Sequence, residues 1–470
     1  MKPIFLQDIS LVIANKILFA NFNAQIFANS RIAIIGSNGC GKTLLLKIIA
    51  GQTDNFEGRI KNIEGLEYGY VPQLISDYPN LSGAQKFNKA LSFALSNNPS
   101  LLLLDEPTNC LDAKNRHSLM QMINNFKGAV IFVSHDSALL QNCANEFWHI
   151  ENNQIKTFTG EFNDWQTKIS QERESLQEEV SSTKKQKVSA HKSLMTAQAR
   201  AKTSKMHGKN LAQKGRWIKA VADAKKNTAS LTSGKKLQEV SDKMQNLSQK
   251  LENLRPPEII KPKFILPAAK INPSQTILSI REGNVFYGSK QILNNINLTF
   301  TPTQKLAIIG DNASGKTTLF KAIIEHPDIK KTGDWNAPDP CDIGYLDQHY
   351  GILDQNKTVF ETILDLDVFE NSADIRDFLN DFLFRTNADI NKKVEVLSGG
   401  QRALLALAKI CAKSPKLLLL DEITNNIDML TAQHLISVLK DYPQGFIIIS
   451  HDENFLSKVE ITDRFYIKPM

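Results

Sequence analysis

The stretch RIAIIGSNGCGKTLLLKIIAG, residues 31–51, decides the fold of this 470-residue chain. It reads as a short apolar strand, a glycine-rich loop of the form GxxxxGK[ST] and a helix. In such a loop, backbone N–H groups and the N-terminus of the helix point at phosphate oxygens. The loop therefore predicts a nucleotide site. Its candidate residues are Gly36, Ser37, Asn38, Gly39, Cys40, Gly41, Lys42, Thr43 and Leu44.

The same motif occurs a second time, as KLAIIGDNASGKTTLFKAII at residues 305–324. Lys42 and Lys316 would reach the β- and γ-phosphates of a nucleotide, and Thr43 and Thr317 would ligate Mg²⁺. Two such loops, each between a strand and a helix, indicate two nucleotide-binding α/β domains. The candidates in the second loop are Gly310, Asp311, Asn312, Ala313, Ser314, Gly315, Lys316, Thr317 and Thr318.

Each loop is followed by an apolar strand that ends in two acids, LLLLDEPTN in the first copy and LLLLDEITN in the second. The first acid, Asp105 or Asp421, suits a contact with Mg²⁺, directly or through water. The second, Glu106 or Glu422, is placed to orient or deprotonate the attacking water. Acids that merely end a buried strand would not be expected at the same offset twice.

A histidine follows a further apolar strand in each copy, His135 in VIFVSHD and His451 in FIIISHD. Sheets of this kind hold ligands at the carboxyl ends of their strands, where an imidazole can touch the γ-phosphate. A lone histidine there would more often be a surface residue. Its recurrence favours a functional role for both.

The composition is that of a globular protein, with 42% apolar and 22% charged residues, and the length suggests two to four domains. No apolar run approaches the ~20 residues of a membrane helix. The five cysteines form no CxxC pair, as is typical of a reducing compartment. We therefore expect a cytoplasmic protein without a membrane segment.

The positive charge is concentrated in the middle of the chain. Residues 166–263 contain 22 Lys and Arg against 9 Asp and Glu, and residues 184–226 contain 13 against one. So dense a patch of one sign repels itself unless a polyanion meets it, which favours contact with nucleic acid. A solvated linker is the alternative interpretation.

This basic segment also has helical periodicity. From Leu237 to Leu254, apolar residues recur at steps of 3 and 4, which predicts one seam of a coiled coil. We predict an antiparallel helical hairpin whose tip lies near residues 206–217. Cations interleaved with apolar groups suit RNA, and the candidates for RNA contact are Arg200, Lys202, Lys205, Lys209, Lys214, Arg216 and Lys219.

The glycine-rich loops, acidic strand ends and SHD segments occur together with Gln73, Gln348 and the segments LSGAQ and LSGGQ. This set resembles the ATP-binding cassette superfamily, and two cassettes around a basic helical linker resemble its ABC-F branch. The resemblance implies two P-loop cassettes of α/β fold joined by an antiparallel α-helical hairpin. We expect the first cassette at residues 1–160, the hairpin at 161–262 and the second cassette at 263–470.

In that family the cassettes close head to tail around two ATP molecules. The resemblance implies that Lys42 shares a site with LSGGQ and that Lys316 shares one with LSGAQ. Gln73 and Gln348 would sense Mg²⁺ and water. The signature residues implied in capping the phosphates are Ser82, Gly83, Ser398, Gly399, Gly400 and Gln401.

The resemblance also implies a function. In ABC-F proteins the linker enters the ribosomal E site and touches the P-site tRNA, the ATP-closed form binds, and hydrolysis releases it. Asp112 and Asp428 match the family's D-loop. The implied partners are rRNA and tRNA, the implied cofactors are ATP and Mg²⁺, and the implied state is a monomer whose cassettes dimerise within the chain.

The two copies differ in length between glutamine and signature. Gln73 to Leu81 is 8 residues, whereas Gln348 to Leu397 is 49. The longer interval has helical spacing and predicts a helical subdomain that the first cassette lacks. Within ABC-F, a compact first cassette resembles the branch that includes antibiotic-resistance ribosome protection proteins.

Substitutions also distinguish the two nucleotide sites. Ala84 replaces a glycine of the first signature and Ala313 a glycine of the second loop. Ile13 takes the position of Tyr287, which can stack on adenine. We expect both sites to bind ATP and to hydrolyse it at unequal rates.

Two other functions stay open. The energy module of a transporter is disfavoured by the missing helical subdomain, by both cassettes lying on one chain and by the basic hairpin. A DNA-repair type of cassette ATPase usually has far longer coiled coils inserted within a cassette. A basic hairpin alone does not distinguish DNA from rRNA.

Overall fold

A computed structural model divides the chain into two compact units. One unit, Met1–Phe162 with Ile260–Met470, contains both cassettes, and the other is the segment between them, Asn163–Ile259. The residues that the structure describes are 2–13, 16–62, 65–75, 81–109, 111–213, 238, 242–250, 275–424 and 427–467.

In its described residues, the first cassette has two sheets and four helices. Its strands are β1 (Ile4–Ile13), β2 (Lys16–Ile26), β3 (Arg31–Gly36), β4 (Glu57–Lys61), β5 (Tyr68–Val71), β6 (Leu101–Asp105), β7 (Ala129–Val133), β8 (Glu146–Glu151) and β9 (Gln154–Thr159). Its helices are α1 (Lys42–Ile49), α2 (Gly83–Leu95), α3 (Ala113–Asn125) and α4 (Ser137–Cys143).

The strand order places the three functional segments of this cassette side by side. The small sheet has the order β2-β1-β4 and the large one β5-β6-β7-β3-β8-β9, in which all strands but β9 are parallel. Strands β6 and β7 are buried along their whole length, which explains their continuous apolar sequence. The loop after β3, the acids after β6 and the histidine after β7 therefore meet at one edge.

The helical unit begins with a single long helix. Helix α5 (Phe162–Gln213) has 52 residues, which corresponds to about 78 Å. A second helical stretch, α6 (residues 242–250), carries Lys250, whose Nζ lies 2.9 Å from Oε1 of Glu179 on α5. This pair, together with buried Leu247, is the described contact of the returning arm.

The second cassette repeats the plan of the first. Its strands are β10 (Leu278–Tyr287), β11 (Lys290–Phe300), β12 (Lys305–Ile309), β13 (Ile329–Asn336), β14 (Ile343–Leu346), β15 (Leu417–Asp421), β16 (Phe446–Ile449) and β17 (Asp463–Tyr466). They form sheets of order β11-β10-β13 and β14-β15-β16-β12-β17. Its helices are α7 (Lys316–Ile323), α8 (Val359–Leu364), α9 (Ser372–Asp381), α10 (Asn387–Ile390), α11 (Gly399–Ala412), α12 (Met429–Asp441) and α13 (Glu453–Lys458). The prediction of an α/β fold with two P-loop cassettes is confirmed.

Helices α8, α9 and α10 form the helical subdomain that the sequence predicts between glutamine and signature. Thr358, Asn371 and Thr386 cap them by accepting hydrogen bonds from backbone N–H groups of the first turn. Their apolar faces join the same buried cluster as α11 and β15, and Ile363 and Leu379 are fully buried in it. The helical subdomain is thus part of the core of the second cassette.

Within the part of the chain that the structure describes, no helix is long and apolar enough to cross a membrane.

Candidate nucleotide-binding sites

The two P-loops have the same local geometry. The ammonium of Lys42 donates to the carbonyls of Gly36 and Ser37 at 2.8 and 3.1 Å. That of Lys316 donates to the equivalent carbonyls, those of Gly310 and Asp311, at 2.7 and 2.8 Å. Each buried lysine therefore points into the turn of its own loop, where a phosphate group would be held.

The glycine before each lysine is required by conformation and by space. Gly41 and Gly315 have φ of +104° and +96°, in the left-handed region that favours glycine. A Cβ on Gly315 would lie 2.8 Å from the side chain of Leu293 on β11. Ala313, which replaces a loop glycine, also has a positive φ of 61°, so the second loop is the more strained of the two.

The carboxylates that end β6 and β15 are buried. Burial raises the pKa of Asp105 above its ordinary value and that of Asp421 to about 6, although the nearby hydroxyls of Thr43 and Thr317 act in the opposite direction. The Tyr345 hydroxyl also donates to Oδ2 of Asp421, at 3.3 Å.

Each glutamate lies beside the histidine of its own cassette. Nε2 of His135 is 3.4 Å from Oε1 of Glu106, and Nε2 of His451 is 3.6 Å from Oε1 of Glu422. Burial raises the pKa of Glu106 to about 7 and lowers that of His451 to about 4, and it lowers the pKa of His135 as well. Both imidazoles are therefore neutral at physiological pH, with one N–H to donate.

The backbone fixes the direction of both glutamates. Glu106 and Glu422 have φ of +49°, which is uncommon for a residue with a side chain. The N–H of Glu106 donates to the carbonyl of Val133, and that of Glu422 to the carbonyl of Ile449, at 2.9 Å in both. Each peptide is thus held against the neighbouring strand in a strained conformation, as is frequent at functional sites.

Both signature segments are capping boxes at the start of a helix. Ser82 accepts from the N–H of Gln85 while the side chain of Gln85 accepts from the N–H of Ser82, and Ser398 and Gln401 do the same on α11. The sequence pattern S-x-x-Q is typical of such a capping box. Gln401, predicted to bind nucleotide, therefore has a structural hydrogen bond as well.

Gly400 lies against the helix that follows the D-loop. A Cβ there would be 2.6 Å from Oγ1 of Thr431, so Gly400→Ala requires the Thr431 side chain, or α12 with it, to shift. We expect it to destabilise the second cassette by about 1–3 kcal/mol, as overpacking does, and to lower the thermal midpoint of the full chain by several degrees.

The natural control for this variant is the first cassette, in which Ala84 occupies the same position. Ala84→Gly should lower the midpoint less than Gly400→Ala, because it costs only the backbone entropy of a helical glycine. An unchanged midpoint in Gly400→Ala would show that Thr431 can move away without cost.

The D-loop of the second cassette reaches the P-loop of the first. Oδ2 of Asp428 accepts from the backbone N–H of Asn38 at 3.1 Å, and Oδ1 accepts from the N–H of Thr431 at the start of α12. Burial alone would raise the pKa of Asp428, but these hydrogen bonds hold it below its ordinary value. Two residues 390 positions apart in sequence thus meet at one site, which supports a head-to-tail arrangement.

The predicted glutamines lie next to the carboxylates of Asp105 and Asp421 in the order of the strands. Gln73 and Gln348 follow the ends of β5 and β14, and both are exposed. Since β5 pairs with β6 and β14 with β15, they come from the strands next to those that end in acids.

The predicted adenine contact differs between the copies. Ile13 pairs with Lys16 across the first hairpin turn, and Tyr287 pairs with Lys290 across the second, so the two residues are structurally equivalent. Both are exposed, at 39% and 57%. A planar side chain is therefore available for stacking at this position in the second cassette, and an aliphatic one in the first.

The predicted RNA contacts are described in part. Four of them, Arg200, Lys202, Lys205 and Lys209, lie on α5. The other three, Lys214, Arg216 and Lys219, lie outside the described residues, as does most of the predicted tip.

Sequence reasoning missed three side chains near these sites. Tyr345, and Tyr70 at the same place in the first cassette, precede the glutamine by three residues, so their repetition was a usable signal. Arg116 is different: its Nη1 lies 3.3 Å from the carbonyl of His451 in the other cassette. The residue at the same position of the second copy is Ala432. The arginine is therefore not repeated, and a comparison of the two copies does not point to it.

The chain is similar to known proteins along most of its length. The family model described as ABC transporter matches residues 19–76 and 293–425. The chain is 27% identical to the ribosome protection protein VmlR of Bacillus subtilis (strain 168), over 97% of this chain and 86% of that protein.

Two further relatives are similar along nearly the whole chain. The ATP-binding protein Uup of Buchnera aphidicola (subsp. Acyrthosiphon pisum) is 28% identical over 97% of this chain and 79% of its own length. The energy-dependent translational throttle protein EttA of Escherichia coli (strain K12) is 24% identical over 94% of this chain and 88% of its own.

Proposed function

Because the chain is a member of the ABC-F family of tandem ATP-binding cassette ATPases, we propose that it binds ribosomes when its cassettes close on ATP and leaves them after hydrolysis. It acts on translation through its basic hairpin, which lies near the tRNA of the E and P sites. One observation carries the proposal: relatives named for ribosome protection and translational throttling match 97% and 94% of the chain.

The loops are suited to the phosphates of ATP. In the first loop, a backbone N–H already holds an anion, the carboxylate of Asp428. The same N–H group, with Lys42 beside it, would donate to a phosphate oxygen. The residues present therefore fit a nucleotide, and closure of the cassettes would place the signature of one over the loop of the other.

The donor set also fits Mg²⁺. Among the residues that the structure describes, no three His, Cys, Asp or Glu side chains gather to form a metal site. Thr43 with Asp105, and Thr317 with Asp421, each offer one hydroxyl and one carboxylate, as Mg²⁺ requires when phosphates complete its coordination. When bound, Mg²⁺ supplies positive charge that offsets the charge on the transferred phosphoryl group.

The reaction itself uses Glu and His. Glu106 and Glu422 are aimed by their backbone conformation, and each accepts a proton from the water that attacks the γ-phosphorus. The neutral imidazoles of His135 and His451, which lie 3.4 and 3.6 Å from the glutamates, each donate their one N–H to a γ-phosphate oxygen. The ammonium groups of buried Lys42 and Lys316 offset the negative charge on the phosphate oxygens during this attack.

The proposal places the protein in the cytoplasm as a monomer whose two cassettes close on each other. Two bound ATP molecules stabilise the closed form, so nucleotide shifts the population towards the state that binds the ribosome. The compact first cassette and the similarity to a ribosome protection protein favour ribosome protection over a role as a general translation factor.

Co-sedimentation tests the proposal. A full-length Glu106→Gln/Glu422→Gln variant is expected to pellet with ribosomes at physiological salt in the presence of ATP and to stay in the supernatant without it. Adding Lys209→Ala, Lys214→Ala and Arg216→Ala should weaken binding about tenfold or more, because each lost phosphate contact lowers affinity at this salt.

The matched control removes the same number of charges from the cassettes, at exposed Lys16, Lys61 and Lys330. It should pellet like the parent variant. Retention that depends on DNA, shown by its loss on DNase treatment, would favour the DNA-associated alternative. No ATP-dependent pelleting at all would refute the ribosome proposal.

A further inference from the structure

Arg116 connects the two cassettes through a single guanidinium group. On its own side, Nε donates to the carbonyl of Leu111 at 3.0 Å, and Nη1 lies 3.3 Å from Oδ2 of Asp136. The same Nη1 donates across the interface to the carbonyl of His451, at 3.3 Å. The side chain thus contacts the D-loop of the first cassette and the histidine of the second.

The residue at the equivalent position of the second cassette cannot make this contact. Arg116 is four residues after the D-loop Asp112, and the residue four after Asp428 is Ala432, which has no side-chain donor. The structurally equivalent histidine, His135, therefore receives no hydrogen bond from this position.

The surroundings of Arg116 explain why a cation is needed. Asp136 and Asp452 begin α4 and α13, and these two helix ends touch, since Nδ2 of Asn454 donates to Oγ of Ser137 at 2.9 Å. Burial raises the pKa of Asp452; the charge of Asp136 raises it further and that of Arg116 lowers it. Arg116 thus supplies positive charge near two carboxylates that repel each other.

We propose that Arg116 is a positioning residue for His451 and so supports hydrolysis selectively at the site built from Lys316 and Glu422. The guanidinium holds the backbone of His451 at a fixed distance from the D-loop of the first cassette. His451 lies 3.6 Å from Glu422, so a displaced carbonyl would displace the imidazole from the phosphate and the glutamate. This inference rests on the proposed ATPase activity.

The test uses the single glutamate variants of the full chain, in which one site is left to react. The rate of the first turnover is measured by rapid quench after mixing with excess ATP and Mg²⁺. Arg116→Ala is expected to slow it about tenfold in the Glu106→Gln background, where Glu422 does the chemistry, and less than twofold in the Glu422→Gln background.

Two further variants separate positioning from general destabilisation. Arg116→Lys keeps the charge but loses the forked donors, and we expect it to recover part of the lost rate. Arg464→Ala removes an arginine that pairs with Glu453 inside the second cassette, and it should leave both backgrounds within twofold of their parents.

Each remaining outcome contradicts the inference. An equal loss in both backgrounds would make Arg116 a residue of cassette closure, and no loss in either would make its contacts irrelevant to turnover. If either glutamate variant alone abolishes the first turnover, the sites react as one unit and a site-selective role is excluded. An unmodified chain that hydrolyses no ATP would overturn the proposed function itself.

Discussion

Replacing Glu106 and Glu422 together by glutamine is expected to lower steady-state ATP hydrolysis by at least about 100-fold, the usual contribution of a general base. Glutamine has the same shape and can keep the backbone conformation with φ of +49°, but its amide does not accept the proton of the attacking water. Binding of ATP should persist, because the loops and their lysines are unchanged. Phosphate release and nucleotide binding, measured on the same preparation, check this result.

The single variants are expected to differ from each other. The Glu106 side chain is 8% exposed and that of Glu422 is 22% exposed, and burial raises the pKa of Glu106 to about 7. The two carboxylates therefore work in different environments, and the residual rates of Glu106→Gln and Glu422→Gln should be unequal. Equal residual rates would contradict the expected asymmetry.

A surface glutamate provides the matched control for these variants. Glu325→Gln changes a carboxylate that pairs with Lys331 away from both loops, and it should leave turnover unchanged. A double variant that retained more than a tenth of the original rate would assign the catalytic base to another group.

Replacing Arg31 by alanine is expected to destabilise the first cassette by about 2–4 kcal/mol, given the usual 1.5–3 kcal/mol of a hydrogen bond to a charged group and their incomplete additivity. Its guanidinium donates to the carbonyls of Ile123, Phe126 and Gly128. Ile123 lies in the last turn of α3, and the other two residues come directly after the helix. A cation there also interacts favourably with the helix dipole. Without it, these carbonyls lose their partner beside β3.

Hydrogen exchange on the full chain measures this effect locally. Amides of β3 and β7 should exchange faster in Arg31→Ala, whereas those of β12 and β16 in the second cassette should be unaffected. The matched control is Lys305→Ala at the equivalent position, where Nζ makes one hydrogen bond to the carbonyl of Val459 at 3.3 Å. Exchange in β3 that matched the unmodified chain would show that water replaces the guanidinium without cost.

Much of the fold could be predicted, because short local patterns indicate it and each pattern occurs in both cassettes. A buried parallel strand has a continuous apolar sequence, and a P-loop has its glycines and lysine at fixed spacing. The helical subdomain of the second cassette followed in the same way, from the 49 residues between Gln348 and Leu397.

The chain by itself determined which residues line the two loops, which acids end the strands and which copy is longer. Only the tertiary structure decided that Asp428 meets Asn38 and that Arg116 meets the carbonyl of His451. The physical reason is that these contacts join residues 390 and 335 positions apart through the packing of two cassettes, and three of the four use a backbone or a side chain without a repeated signature. Local sequence sets the conformation of each loop, whereas the residue that a loop contacts across the interface depends on how the two folded cassettes pack together.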